Sequence, residues 1–79
     1  MNVPDDIRLR PGSASYLNID NGDTEIGHLQ LAPDGQVIRS WAIHMEDRNL
    51  ITLVRDCYQT SWELLQCDTG QTRRWVQPV

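Results

Sequence analysis

Residues 14–31, ASYLNIDNGDTEIGHLQL, contain the clearest indication of the fold in this chain. Asn21-Gly22 at the centre of this stretch is the strongest turn signal in the chain, because a two-residue type I′ hairpin turn needs positive φ angles that Asn and Gly tolerate best. The sequence therefore predicts a β-hairpin. Its first strand runs from about Ala14 to Ile19 and its second from about Glu25 to Leu31.

A second turn is predicted at Pro33-Asp34-Gly35. Proline presets the φ angle of the first central position of a type I turn, and glycine accepts the left-handed position that follows. This turn leads into a third strand from about Gln36 to His44.

A third turn is predicted at Asp68-Thr69-Gly70, which has the same character. It places a second hairpin between Trp62–Cys67 and Gln71–Val76. The register of this hairpin stays open, because a two-residue loop pairs Leu64 with Trp75 whereas a three-residue loop pairs Glu63 with Trp75.

The segment between the two hairpins has a helical pattern. Its apolar residues fall at the i, i+3, i+4, i+7, i+8 spacing of an amphipathic helix, at Leu50, Leu53, Val54, Cys57 and Tyr58. We predict a helix from Asp47 to about Tyr58. The alternative is a strand from Leu50 to Arg55, which Ile51, Thr52 and Val54 favour.

These elements give an α+β fold, βββ-α-ββ, in which one helix packs on a face of a small antiparallel sheet of about five strands. A small all-β barrel or sandwich is the alternative. Residues 1–13 contain Pro4, Pro11 and Gly12, and we expect an irregular lead-in there. Residues 14–79 then form a single small α+β domain.

Composition limits the function classes. The chain has 79 residues, enough for one domain, and its apolar runs are too short to span a bilayer. The N-terminal segment has no signal-peptide character, so we expect a cytoplasmic protein. Seven arginines against 11 acidic residues give a net charge of -4, which argues against direct binding of nucleic acid.

No catalytic or metal-binding pattern is recognisable, so we expect no enzyme and no cofactor. His28, His44, Cys57 and Cys67 lack the close pairs of a zinc site. The segment from Asp20 to Glu25 lacks the spacing of a calcium loop, and the five glycines are dispersed as turn residues. We expect the two cysteines to be buried thiols, although a bridge between them is an alternative.

Three tryptophans, Trp41, Trp62 and Trp75, carry much of the apolar area of this phenylalanine-free chain. We expect at least two of them in the core. An exposed tryptophan would be an anchor for a partner, because tryptophan is enriched at binding hot spots.

The charge is unevenly distributed, since residues 1–35 carry six acidic and two basic side chains. In a meander, the first turn, the start of the helix and the last turn meet at one end of the sheet. We therefore predict a cluster of carboxylates there, the predicted acidic cluster, with Arg8, Arg10 and Arg74 towards the other end. Its members are Asp20, Asp23, Glu25, Glu46, Asp47 and Asp68. The alternative is that these carboxylates only suit solvated turns and helix starts.

We interpret the chain as a non-enzymatic protein-interaction module whose predicted acidic cluster docks on a basic surface of a larger protein. In size and charge alone, it resembles small inhibitors of nucleic-acid-binding machinery such as the phage-encoded anti-CRISPR proteins. Two alternatives are a homo-oligomeric accessory module, which pairs through hairpin edges or aromatic faces, and a small metal-binding domain.

Overall fold

The computed structural model describes residues 3–13 and 15–69 of the chain. Four strands form one antiparallel sheet in the order β1-β2-β3-β4, and one long helix packs mainly against β4 and also against β3. The predicted α+β class is therefore confirmed, with four strands in the described part. The elements are β1 Ile7–Pro11, β2 Tyr16–Asn21, β3 Thr24–Leu31, β4 Val37–Ala42, a short 3₁₀ turn Met45–Asp47 and α1 Arg48–Thr69.

The predicted first hairpin is present as β2 and β3. Asn21 pairs with Thr24, so the two loop residues are Gly22 and Asp23, one position later than we predicted. Gly22 has a φ of 62°, which supplies the positive angle that a primed turn needs at its first central position. The prediction of a turn here is therefore confirmed, but the centre of the turn lies one residue later in the chain than predicted.

Gly22→Ala isolates the cost of this backbone conformation. A Cβ atom at Gly22 would meet no other atom within 4 Å, so only the left-handed φ opposes the substitution. We expect a loss of about 1 to 2 kcal/mol in the free energy of unfolding. Urea unfolding followed by circular dichroism measures it, and a Gly22→Asn control should lose less, because asparagine tolerates this region. An alanine variant as stable as wild type would contradict the assignment.

The second predicted turn is also present. The Gly35 N–H donates to the Ala32 carbonyl at 2.9 Å, Gly35 has a φ of 97°, and the Gln36 N–H donates to Oδ1 of Asp34 at 3.0 Å. Pro33 and Asp34 thus occupy the two central positions of the turn. The chain then returns as β4, shorter at both ends than the predicted third strand.

The irregular lead-in predicted for residues 1–13 is wrong at residues 7–11, which form β1 and pair antiparallel with β2. Ile7 and Leu9 are buried whereas Arg8 and Arg10 lie on the other face, the alternation of a half-buried strand. Pro11 is compatible with this strand because it ends an edge strand, where a missing N–H costs little.

The predicted helix is confirmed, and the alternative strand from Leu50 to Arg55 is excluded. The helix is longer than predicted, however, and includes Trp62–Cys67, so the predicted fourth strand is wrong. No Gly or Pro interrupts the sequence between Arg48 and Thr69, and Trp62 and Leu65 continue the helical spacing of Val54 and Tyr58. Asp68 and Thr69 end the helix instead of forming a turn. The predicted strand Gln71–Val76 lies outside the described residues.

The core lies between the sheet and α1. Within residues 3–13 and 15–61, the buried core residues are all apolar or aromatic: Ile7, Leu9, Leu17, Ile19, Ile26, Leu29, Leu31, Ile51, Val54 and Tyr58. Gly27 is buried in the middle of β3 and is not a turn residue, contrary to our interpretation of the glycines. A Cβ atom there would lie 2.7 Å from Cδ1 of Ile51, so the missing side chain lets the helix approach the sheet.

The two cysteines lie on one helix. Cys57 and Cys67 are ten residues apart on α1, which separates their Cα atoms by about 15 Å along the axis. A disulfide needs Cα atoms within about 7 Å. The alternative of a bridge between them within one chain is therefore excluded, and the Cys57 thiol is half-buried.

Candidate functional site

Acidic residues from three separate parts of the chain meet at one end of the sheet. The β2–β3 turn lies there, and the Gly22 N–H donates to the Asp6 carbonyl at 2.9 Å, which brings the start of β1 beside it. The chain leaves β4 at the same end, where the Ile43 N–H donates to the Ile26 carbonyl at 2.9 Å. We call this surface the acidic end. Its members are Asp5, Asp6, Asp20, Asp23, Glu25, Glu46 and Asp47.

Two members of the acidic end form ion pairs with Arg10. Its guanidinium donates to both carboxylate oxygens of Asp20, at 2.9 and 3.1 Å, and to Oε1 of Glu25 at 2.9 Å. These hydrogen bonds raise the pKa of Arg10 above its ordinary value, and the bonds to Asp20 contribute more than the bond to Glu25. The expectation that Arg8 and Arg10 lie towards the opposite end of the sheet is wrong. The pairing of β1 with β2 places Arg8 opposite Asp20, and the Arg10 side chain reaches Asp20 from its position opposite Asn18.

Three further predicted carboxylates, those of Asp23, Glu46 and Asp47, make no contact with Arg10. Asp23 and Glu46 are exposed, Asp47 is half-buried, and within residues 3–13 and 15–69 none of the three makes an ion pair. Arg48 follows directly and is exposed. This part of the predicted acidic cluster therefore exists at the end of the sheet where we expected it.

Asp68 does not belong to this surface, and its inclusion in the predicted acidic cluster is wrong. The helix leaves the acidic end at Arg48 and runs back along β4, where the Gln59 side chain accepts a hydrogen bond from the Val37 N–H at 3.1 Å. Val37 begins β4, so Gln59 already lies at the opposite end of the sheet, and Asp68 is nine residues further along the helix. A helix replaces the hairpin that would have brought Asp68 back.

Two acidic residues that we did not predict take its place. Asp5 and Asp6 are exposed and form the turn before β1. The Arg8 guanidinium donates to the backbone carbonyl oxygens of Asp5 and Ile7, which ties this turn to the strand. The alternation of Ile7 and Leu9 with Arg8 and Arg10 is the sequence signal that would have identified the strand.

Exposed apolar side chains adjoin the acidic end. Met45 is 80% exposed and Ile43 is 46% exposed, and both precede Glu46 on the segment that leaves β4. Large exposed apolar side chains can form a contact with a partner from which water is excluded. Carboxylates next to them can orient a partner that carries positive charge. No element in the described residues covers them.

The face of the sheet opposite the helix carries a row of rings. Tyr16 meets His28 edge-on at 5.3 Å between ring centroids, and His28 stacks beside Trp41 at 5.8 Å. The Arg39 guanidinium lies 4.4 Å from the centroid of the Trp41 ring, in a cation–π contact. Sequence reasoning missed this row, because it depends on which residues the register places side by side.

Of the three predicted anchors, Trp41 is 47% exposed. It lies at the end of the ring row, close in sequence to Ile43 and Met45. Trp62 lies within α1, and Trp75 lies outside the described residues. The expectation of two buried tryptophans therefore stays a prediction, whereas Trp41 has the exposure that an anchor needs.

The histidines and cysteines are dispersed. His28 lies in the ring row, His44 is exposed after β4, and Cys57 and Cys67 lie on the helix. Among the described residues, no three His, Cys, Asp or Glu side chains are grouped as a metal ion would require. The surface available for function here therefore consists of carboxylates, exposed apolar side chains and the ring row.

Comparison with known proteins does not extend this description. Across residues 3–13 and 15–69, no helix is long and apolar enough to cross a membrane. No protein-family model matches the chain, and neither a curated protein nor a solved structure shows significant similarity to it.

Proposed function

We propose that the chain is a non-enzymatic protein-interaction module whose acidic end docks on a basic surface of a larger protein. The observation that carries this proposal is that Met45 and Ile43, both exposed, precede the exposed Glu46 where the chain leaves β4, at the end of the sheet that also holds the exposed Asp23 in the β2–β3 turn. The apolar side chains supply contact area that excludes water. The carboxylates supply the field that selects and orients a basic partner.

The pairing of Arg10 sharpens the proposal. Because Arg10 engages Asp20 and Glu25, these two carboxylates belong to a structural ion network that keeps one net negative charge. The carboxylates of the acidic end outside this network are those of Asp5, Asp6, Asp23, Glu46 and Asp47. Those carboxylates are the ones that a partner's lysines and arginines would meet. The proposed partner surface is one that ordinarily binds nucleic acid, since such surfaces are basic, and an inhibitory role follows from occupying it.

Removal of charge from the acidic end tests the proposal. In Asp6→Asn/Asp23→Asn/Glu46→Gln, three carboxylates disappear while the shapes of the side chains are kept. We expect capture of basic proteins by the immobilised chain to fall about tenfold at about 50 mM salt, because charges at the rim of an interface act mainly on the association rate. Quantitative mass spectrometry of the captured proteins measures the change, and about 500 mM salt should abolish the difference.

The matched control removes the same number of charges from the opposite end, as Asp34→Asn/Glu63→Gln/Asp68→Asn. We expect this variant to capture the same proteins as wild type. If both variants lose the same amount of captured protein, the effect depends only on the net charge of the chain. If neither variant loses captured protein, the acidic end is not the docking surface. Met45→Ala should weaken capture at both salt concentrations, because its contribution is apolar.

A further inference from the structure

A cavity of about 220 Å³ lies between β4 and the first turns of α1. Two arginines, two residues with a hydroxyl group and two apolar residues line it: Arg48, Arg55, Ser40, Thr52, Ala42 and Ile51. None of these lining residues is acidic, although the chain as a whole carries 11 acidic residues against seven basic ones. The lining of this cavity therefore has a charge opposite to that of the chain, and its chemistry suits an anion.

The helix positions its polar residues on one side of the cavity. Arg48, Thr52 and Arg55 are spaced i, i+4 and i+7, so their side chains share one face of α1. Gln59 continues this face and accepts a hydrogen bond from the Val37 N–H at 3.1 Å, which shows that the face lies alongside β4. Both guanidiniums therefore border the same space, with Thr52 between them along the helix.

The strand β4 forms the opposite side of the cavity with small residues. Ser40 pairs with Leu29 and Ala42 pairs with Gly27 across the two antiparallel strands. Directly paired residues lie on the same face of a sheet, so Ser40 shares the face of the buried Leu29, which is the face that α1 covers. Because Ser40 and Ala42 are short, space remains between them and the two arginines for a ligand.

Most of the hydrogen-bond donors that line the cavity remain available to a ligand. Arg48 is exposed, and within residues 3–13 and 15–69 it forms no ion pair. Arg55 donates to Oδ1 of Asp56 through Nε and Nη2, at 3.1 and 3.0 Å, and its guanidinium has further N–H groups that this contact does not use. The hydroxyl groups of Ser40 and Thr52 are further donors. A ligand in the cavity thus meets donors from both walls.

We propose that this cavity binds a phosphoryl group, in the form of the dianion of a phosphate monoester. The fork of N–H groups on a guanidinium matches two oxygens of a phosphate, and the two arginines supply two such forks. Donors from the helix and from the strand approach from different directions, which suits a tetrahedral oxyanion better than a planar carboxylate. The cavity begins at the first turn of α1, where the helix dipole also favours negative charge.

Two features of the surroundings limit the affinity. The Asp56 carboxylate shares Arg55 with the ligand, and the acidic end, which includes Glu46 and Asp47, directly precedes Arg48. Their negative charge opposes the approach of an anion, and water and salt weaken ion pairs at an open site. We therefore expect inorganic phosphate to bind with a dissociation constant of about 1 to 10 mM.

An amide NMR titration of the full chain with inorganic phosphate, up to about 50 mM at constant ionic strength, tests the proposal. At about pH 8, above the second pKa of phosphate, the amide signals of Ser40, Arg48, Thr52 and Arg55 should shift along a common saturating curve. Acetate, a planar anion with a single charge, should bind at least about fivefold more weakly. Failure of phosphate to saturate these shifts, or equal binding of acetate, would overturn the proposal.

Single substitutions separate this cavity from its surroundings. Arg48→Gln keeps a helix-forming side chain and removes a guanidinium, so phosphate binding should weaken about fivefold or more. Arg39→Gln is the matched control, because it removes the same charge from β4 outside the cavity lining, and it should alter the affinity less than about twofold. Equal loss of binding in both variants, or no loss in either, would contradict the proposed site.

Asp56→Asn provides a test in the opposite direction. The substitution removes the carboxylate that holds Arg55 and leaves the whole guanidinium to the ligand. We expect phosphate to bind about threefold more tightly than to wild type. An affinity that is unchanged or weaker would mean that Arg55 does not contact the ligand, and a site built on two arginines would be refuted.

A peptide with a single phosphoserine, compared with inorganic phosphate in the same titration, distinguishes two sources of the phosphoryl group. Binding at least about tenfold tighter than that of inorganic phosphate would assign the site to a phosphorylated protein, and equal binding would assign it to a free phosphate monoester. The site goes beyond the proposed docking function and does not depend on it. The variant Asp6→Asn/Asp23→Asn/Glu46→Gln leaves every residue of the cavity in place and should still bind phosphate, so the two proposals fail separately.

Discussion

Gly27→Ala should destabilise the protein more than any other addition of a single methyl group at its described glycines. The added Cβ atom would lie closer to the Trp41 carbonyl oxygen than real Cβ atoms ever come, and 2.7 Å from Cδ1 of Ile51. The first obstacle is backbone of the neighbouring strand, which cannot rotate away. We expect a loss of about 3 kcal/mol or more in the free energy of unfolding, at or above the upper end for overpacked cores.

Thermal unfolding followed by circular dichroism measures this loss, and a decrease of roughly 12 to 24 °C in the midpoint corresponds to about 3 kcal/mol for a domain of this size. The matched control is Gly22→Ala, the same substitution in open space, with an expected loss of about 1 to 2 kcal/mol. Ile51→Val combined with Gly27→Ala should recover little stability, because it leaves the carbonyl of Trp41 in place. Equal midpoints for the two alanine variants would mean that the helix and sheet are not in close contact at Gly27.

Tyr58→Ala should have an effect of similar size through the opposite cause, a cavity. Tyr58 is fully buried where α1 covers the sheet, and it is the largest fully buried side chain among the residues whose burial the structure describes. Its removal deletes the apolar contacts of a whole ring, and large aromatic truncations of this kind cost about 3 to 5 kcal/mol. A domain of this length is expected to have a total stability of roughly 4 to 12 kcal/mol, so this variant should be partly unfolded at 37 °C.

Tyr58→Phe is the control, because it keeps the ring and removes the hydroxyl group. We expect its free energy of unfolding to change by no more than about 1 kcal/mol, far less than in the alanine variant, because only the hydroxyl group is removed. Urea unfolding should show a much lower midpoint for the alanine variant and a nearly unchanged slope, since the surface exposed on unfolding changes little. A Tyr58→Ala variant that retains the wild-type midpoint would mean that the helix is not docked on the sheet through this residue.

The parts of the fold that local chemistry determines were predictable. Asn21-Gly22 and Pro33-Asp34-Gly35 marked both turns of the meander, because few residues accept the φ angles that those turns need. The apolar spacing from Leu50 to Tyr58 identified the helix. The convergence of Asp23, Glu46 and Asp47 at one end followed from these turns together with the antiparallel direction of successive strands.

The errors lie where a local signal competed with one that acts over a longer range. Asp68-Thr69-Gly70 has the composition of a turn, but twenty preceding residues without Gly or Pro let the helix continue to Thr69. Helix elongation adds one hydrogen bond per residue once the first turn exists, so continuation is favoured until a residue breaks it. This difference moved Asp68 away from the acidic end.

The two turns and the existence of the helix follow from the amino-acid sequence alone, because each depends on residues that are close along the chain. The excess of acidic over basic residues follows from composition. Which carboxylates pair with an arginine and which stay outside ion pairs depends on the packing of the strands. The pairing of β1 with β2 brings Arg10 to Asp20 and Glu25 and brings Asp5 and Asp6 into the acidic end. Such pairing depends on which strands bury their apolar faces together under α1, a property of the whole core and not of any segment.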